Sequence, residues 1–181
     1  MSMQTTYESP VGRLWLATDA RGDNVTGLWL EGQKYFGSPD LDDGEPNGDA
    51  PALTIAREWL DRYFAGDKPD PHEVPCAAPG SEFQHLIWDL LCDIPFGGVT
   101  TYGRLAREAA ARMGRPTMSS QAVGGAVGRN PVSIIVPCHR VVGANGSLTG
   151  YAGGIDRKIA LLKLEGVDMS GLYRPARSTA P

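Results

Sequence analysis

The residues that could do chemistry sit together in Val136-Pro137-Cys138-His139-Arg140. Thiolate is the nucleophilic form of cysteine, and a neighbouring base is the usual way to generate it near neutral pH. The apolar, β-branched run Ile134-Ile135-Val136 lies directly upstream. It predicts a strand over Ser133–Val136 that would present the sulfur on a rigid support. Adjacent side chains on an extended chain point to opposite faces, so a Cys-His pair alone is weak evidence of catalysis. Free cysteine is also a common small buried hydrophobe.

The elements that must position these residues fall into two groups. Met3–Ser9 and Arg13–Thr18 flank the turn Pro10-Val11-Gly12, and Arg21-Gly22-Asp23-Asn24 precedes a further strand, Val25–Glu31. Gly37–Ala50 reads as a mobile acidic loop. Leu53–Ala65 reads as a helix with the apolar face Ile55, Ala56, Trp59, Leu60 and Tyr63. The proline-rich stretch 67–80 reads as a linker. Beyond it, Ser81-Glu82-Phe83-Gln84 is a capping box opening a helix whose apolar face is Phe83, Leu86, Ile87, Leu90 and Leu91. His85 and Cys92 fall in this helix as structural residues. Thr101 can cap a helix from Tyr102 to about Arg112, and Ser119 or Ser120 a short one ending near Gly128. Two short helices with a connection predict a helix-turn-helix. The small residues Ala122, Gly124, Gly125 and Ala126 of the second would admit either a DNA backbone or a tightly packed helix. A last helix is expected over Ile155–Glu165, and a loosely ordered tail over Ser170–Pro181.

Composition sets bounds on function. The net charge of −4 hides an asymmetry. Residues 1–79 carry 6 Lys/Arg against 14 Asp/Glu, and residues 80–181 carry 11 against 7. Residues 94–155 hold 6 arginines and one acid, Glu108, which is the footprint of a phosphate-contacting surface or of a solvated basic face. No apolar run is long enough for a membrane span, and the first residues do not resemble a secretory signal. Cys76, Cys92 and Cys138 form no even disulfide framework, and with His72, His85 and His139 they form no recognisable metal cluster. The expectation is a cytoplasmic protein with no membrane partner and no metal.

These motifs resemble one family, the O6-alkylguanine-DNA alkyltransferases. The resemblance rests on Tyr102-Gly103, Ala122-Val123-Gly124-Gly125, Asn130-Pro131, Pro137-Cys138-His139-Arg140-Val141 and Gly150-Tyr151-Ala152-Gly153-Gly154. It continues through Arg157-Lys158, Leu161-Leu162 and Glu165-Gly166, covering most of Phe83 to Val167. It implies an α/β protein. A small ribonuclease H-like α+β domain over 1–66 would be joined by the linker 67–80 to a mostly helical, winged-helix-like alkyltransferase domain over 81–168, with a tail at 169–181. It implies irreversible transfer of an alkyl group from guanine O6 to Cys138, once per molecule and without a cofactor. It assigns His139 and Glu165 to activation of the thiol, and Tyr102 to a hydrogen bond with guanine N3. Asn130 and Arg140 become structural supports, and Val141, Tyr151 and Ala152 line the base pocket. Gln121, Ala122, Gly124, Gly125, Arg115 and Arg129 face DNA. The partner it implies is duplex DNA carrying O6-alkylguanine, with O4-alkylthymine as a second candidate lesion, bound by a monomer.

The target atom is out of reach inside a stacked duplex, so the nucleotide must rotate out. The family fills the gap with an arginine immediately before the Ala-Val-Gly motif. Here that residue is Gln121, and the connection Ala111–Ser120 is several residues longer than usual. Arg112, Arg115 or Gln121 itself are the candidates for the role. The rival readings are a protein that binds alkylated DNA with little repair, a cysteine hydrolase built on Cys138, His139 and Glu165, and a methyl-sensing regulator.

Overall fold

In the computed structural model the described residues are 2–34, 45–46 and 49–176, and they divide into two compact units. The first comprises residues up to Pro79 together with Pro131–Ile135; the second comprises Gly80–Asn130 and Val136 onward.

The first unit is a sheet covered by a helix. Strands β1 (Met3–Ser9), β2 (Gly12–Thr18) and β3 (Val25–Leu30) form an antiparallel meander, and β4 (Glu45–Pro46) adds in parallel beside β1. Leu14, Leu16, Val25, Leu28 and Leu30 are buried, as are Leu53, Ala56, Trp59, Leu60 and Tyr63 of α1 (Pro51–Phe64). The sequence places Ile55 on that apolar face, but it is exposed, and Ala52 and Leu53 are buried instead. The helix begins at Pro51, and its buried stripe runs Ala52, Leu53, Ala56, Trp59, Leu60 and Tyr63 at helical spacing, with Ile55 at the edge of that stripe. Most of the acidic loop expected at Gly37–Ala50 lies outside the described residues.

Two segments depart from the sequence reading. The stretch 67–80 belongs largely to this first unit, because its backbone pairs with β3. Val25 donates to the Pro75 carbonyl (2.8 Å) and Ala77 donates to the Val25 carbonyl (2.9 Å). The Trp59 indole donates to the Asp70 carbonyl (2.8 Å), and Val74 is buried. Proline removes amide donors but leaves carbonyl acceptors, so a proline-rich chain can still lie along a sheet edge. The strand expected over Ser133–Val136 is also absent. Val132 forms a single bridge to Leu28, and the chain then turns tightly at Ile134 with φ +71. The Ile135 amide donates to the Ser133 carbonyl at 2.8 Å, a three-residue γ-turn. Such a φ is costly for a β-branched residue. Full burial of Ile134 and Ile135 accounts for the apolar run that periodicity reads as a strand.

The second unit packs α2 (Glu82–Cys92), α3 (Tyr102–Arg112) and α4 (Ser120–Gly128) around Ile87, Leu91, Leu105, Ala109, Val123 and Val127. Ser81 and Gln84 make the expected capping box, Thr101 caps α3 and Ser119 caps α4. Trp88 is buried and donates to the Ala126 carbonyl (2.9 Å), locking α2 to α4. His85 is exposed, edge-on to Trp88. A two-stranded parallel sheet joins β5 (Thr100–Thr101) to β6 (Val141–Val142), and α5 (Ile155–Leu164) follows. Among the described residues no helix is long and apolar enough to cross a membrane.

Candidate active site

The β5–β6 pairing is what assembles the site. Tyr102 follows β5 directly, and Cys138 lies three residues before β6. Cys138 opens a short 3-10 helix, Cys138–Arg140. The residue before it, Pro137, has φ −84 and ψ 64, and the Cys138 amide donates to the Val136 carbonyl at 2.9 Å. That is an inverse γ-turn. Proline's fixed φ suits it, so the cysteine is delivered by a turn rather than by a strand.

Asn130 braces this turn. Its side-chain amide donates to the Val136 carbonyl (2.8 Å) and also bonds the Cys138 sulfur. Burial pushes the Cys138 thiol up. The Asn130 hydrogen bond, the charge of Lys158 and the nearby backbone amides pull it down. Lys158 is fully buried, and its ammonium donates to the Val141 carbonyl (2.5 Å) and the Thr149 carbonyl (2.8 Å). Burial lowers its pKa to about 8, against an upward pull from Cys138. The sequence reading includes Lys158 in a motif but gives it no role. A lysine beside three apolar residues, Ile159, Leu161 and Leu162, is the signal that could have found it.

Glu165 anchors the other side. It occupies the carboxy-terminal cap of α5, where the helix dipole disfavours an anion. Burial also disfavours its charge, yet the hydrogen bonds from His139 and Arg140 and the charge of Arg140 outweigh both and hold the carboxyl at about 2. His139 Nε2 lies 2.5 Å from Glu165 Oε2, and Arg140 Nε lies 2.7 Å from Oε1. The Gly97 amide also donates to Oε1 (3.2 Å). Gly97 has φ +82, and a Cβ there would come within 3.1 Å of the Glu165 carbonyl oxygen, so any other residue would be strained and would crowd that oxygen. Arg140 further donates to the Ile94 carbonyl (2.6 Å). Burial lowers the His139 pKa, which favours a neutral ring. With Nε2 facing an ionised carboxylate, the proton belongs on Nε2. Nδ1 is then a lone-pair acceptor, and it is buried with no hydrogen-bond partner among the described residues. A buried base of this kind beside a cysteine can take up the thiol proton.

Tyr102 is half-buried and its hydroxyl donates to the Thr149 carbonyl (3.2 Å); burial and the nearby Cys138 raise its pKa. Tyr151 is buried edge-on to His139, and its hydroxyl has no hydrogen-bond partner among the described residues. Val141 is buried and Ala152 half-buried. On α4, Gln121 and Ala122 are exposed in the first turn, and Gly124 and Gly125 are half-buried. A Cβ on Gly124 would touch Tyr102 at 3.7 Å, whereas one on Gly125 would meet open space. Arg115 and Arg129 are exposed, and Arg112 pairs with Asp93 at 3.2 Å.

Residues 82–167 match the 6-O-methylguanine DNA methyltransferase, DNA binding domain family. Residues 3–77 match the ribonuclease-like domain of the same methyltransferase. The chain belongs to the 6-O-methylguanine DNA methyltransferase family. It is 43% identical to a methylated-DNA–protein-cysteine methyltransferase of Methanosarcina acetivorans, with 88% of this chain and 96% of that protein covered. A protein of the same name from Haemophilus influenzae is 39% identical, over 89% of this chain and 84% of that protein. The crystal structure of the Mycobacterium tuberculosis O6-methylguanine methyltransferase superposes with TM-score 0.75 at 41% identity, covering 98% of this chain and 97% of that one. The M. tuberculosis OGT in complex with DNA gives the same TM-score at 39% identity, covering 90% and 92%. The expected fold, a small sheet domain followed by a helical DNA-binding domain, is therefore the one observed.

Proposed function

We propose that this methyltransferase repairs O6-alkylguanine in duplex DNA by moving the alkyl group onto its own Cys138, once per molecule. The observation that carries the reading is the buried chain of partners that ends at the sulfur. Asn130 and Lys158 stabilise a thiolate from one side, and a neutral His139, oriented by ionised Glu165, receives the proton on the other.

In the transfer step the sulfur lone pair forms the S–C bond as the C–O6 bond breaks, and its electrons pass to the purine. Tyr102 exchanges its bond to the Thr149 carbonyl for one to guanine N3 and so offsets the charge on the departing base. The thiol proton, taken up by His139 through water, returns to the guanine, so the balance is thiol plus alkylguanine to thioether plus guanine. Arg140 and Asn130 hold the carboxylate and the turn. Val141, Tyr151 and Ala152 wall the pocket, and a thioether is stable to water, so the alkyl group stays on the sulfur.

Access requires the nucleotide to leave the stack. Gln121, Ala122, Gly124 and Gly125 form the face offered to DNA, with Arg115 and Arg129 contacting phosphates. A monomer acting in the cytoplasm fits three cysteines held in no disulfide. Gln121, exposed where the family resemblance calls for arginine, favours a second reading: damage recognition with slow repair.

One experiment separates these readings. The protein is mixed with an O6-methylguanine duplex and its intact mass is measured. A stoichiometric gain of one methylene, mapped to Cys138, is expected; repeated turnover with no gain selects a hydrolase, and tight binding with no gain selects a sensor. Cys138→Ser should abolish the gain and retain duplex binding, since a serine hydroxyl is far less nucleophilic than a cysteine beside a base. An alkyl group on Cys76 or Cys92 would sink the assignment.

A further inference from the structure

The carboxy-terminal segment does not behave as the loose tail its composition suggests. Residues 177–181 lie outside the described residues, but the chain before them is fastened to the loop 143–150. The Tyr173 amide donates to the Gly146 carbonyl (3.0 Å), and Leu148 donates to the Tyr173 carbonyl (2.9 Å). Ser147 and Tyr173 thus form a bridge. Met169 and Leu172 pack against an apolar cluster of Val142, Leu148 and Leu162. Arg174 pairs with Asp156 on α5 at 2.6 Å. Gly146 has φ +90, and a Cβ on it would fall 2.0 Å from the Gly171 carbonyl oxygen, so the loop and the segment meet backbone to backbone.

The loop held in this way carries a polar acceptor of the active site. Thr149 follows Leu148 directly, and its carbonyl accepts from both the Tyr102 hydroxyl (3.2 Å) and the Lys158 ammonium (2.8 Å). Two side chains that face Cys138 electrostatically are therefore registered on one carbonyl, and that carbonyl's loop is pinned one residue away by Tyr173. We propose that Met169–Arg174 is a positioning strap that sets the Tyr102 hydroxyl for transfer through the Thr149 carbonyl; Lys158 keeps its second bond, to the Val141 carbonyl, whether or not the strap is in place. The contact is made by the Tyr173 backbone, since its side chain is exposed. This inference rests on the alkyl-transfer reading, and its test starts from a parent protein already shown to gain the alkyl mass.

Tyr173→Pro removes the amide bonded to Gly146, and Gly146→Ala forces the two backbones apart from the other side. Tyr173→Ala keeps both backbone bonds and is the control. Single-turnover transfer from an O6-methylguanine duplex should slow about tenfold in the first two and stay at the parent rate in the control. That is the scale expected for losing one oriented hydrogen bond. Affinity for undamaged duplex should not change. In a Tyr102→Phe background the further loss from Tyr173→Pro should shrink to less than about twofold, because the strap then has no hydroxyl left to position. A merely structural tail would slow both backgrounds equally, and that outcome overturns the proposal. So does a parent-like rate in a folded Tyr173→Pro protein, or a control as slow as it is.

Discussion

Around Cys138, the side chains of His139, Arg140, Lys158 and Glu165 are buried, and each is bonded to backbone or to another member of the group. Along the first turn of α4, Ser120, Gln121 and Ala122 are exposed and uncharged. Both regions lie in the second unit, and they solve different problems. Chemistry on a thiol needs charges fixed in a dry place, where they act strongly and do not reorganise. Approach to a nucleic acid backbone needs the absence of bulk, with charge supplied from nearby loops. Loss of a partner should therefore be costly in the first region and graded in the second.

The largest contrast is expected at Glu165. Its carboxyl is held at about 2 in the fold against an ordinary 4.5. A depressed carboxyl contributes stability above its unfolded pKa and loses it as the pH falls through the folded one. The parent should thus shed about 3 kcal/mol between pH 4.5 and 2. Glu165→Gln should flatten that limb and slow transfer about a hundredfold, as His139 loses the charge that orients it. Denaturant unfolding across that pH range, with single-turnover rates at neutral pH, checks both. A variant that keeps the parent's acid limb would place the titrating group elsewhere.

Tyr102→Phe sharpens the comparison at the border of the two regions, since Tyr102 touches both Thr149 and the space beside Gly124. Transfer should slow about tenfold or more while affinity for plain duplex stays constant, because the hydrogen bond matters most as the purine leaves. Equal rates would remove Tyr102 from the reaction.

On the DNA side the effects should be smaller and insensitive to sequence. Arg115→Ala and Arg129→Ala should each lower the slope of log affinity against log salt by about 0.9 for each phosphate that the arginine neutralises. Alkylated and undamaged duplex should weaken alike. Unchanged slopes in both variants would move the DNA-facing surface elsewhere.

What is legible in the sequence follows the same division. Caps at Ser81, Thr101 and Ser119 and the bounds of α3 are readable because they depend on a few adjacent residues. Cys138 and His139 stand out by type and adjacency, whereas Glu165 and Tyr102 are reached only through the family resemblance, because a helix-end carboxylate and a tyrosine at a helix start are ordinary structural residues; the structure sets the Glu165 carboxylate 2.5 Å from His139. The turn at Ile134 is hidden, since three β-branched residues in a row fit a strand better than a γ-turn, and only burial stabilises the strained choice. Lys158 escapes notice because a lone lysine on a helix is usually solvated. Its carbonyl partners are nine and seventeen residues away. The strap at Tyr173 is invisible for a related reason: backbone bonds between distant loops leave no pattern in side-chain types.

The smallest expected effect, and the one that tests the exposed region most directly, is at Gln121. A flipped nucleotide leaves a hole in the stack, and opening it costs a few kcal/mol of unstacking and unpairing. A glutamine is shorter than an arginine and carries no charge, so it fills the hole less well and attracts no phosphate. Arg112, one alternative plug, is already paired with Asp93, while Arg115 is exposed on the connection that precedes α4. Gln121→Arg should therefore speed repair of a lesion in duplex DNA by a few-fold and leave the rate on single-stranded DNA nearly unchanged, since little stack remains to be opened there. The ratio of the two single-turnover rates isolates the plug from the chemistry, because Cys138 and its buried partners are common to both. Equal or slower duplex repair by the variant would mean that the gap is already filled, and loss of duplex repair in Arg115→Ala would then name the residue that fills it.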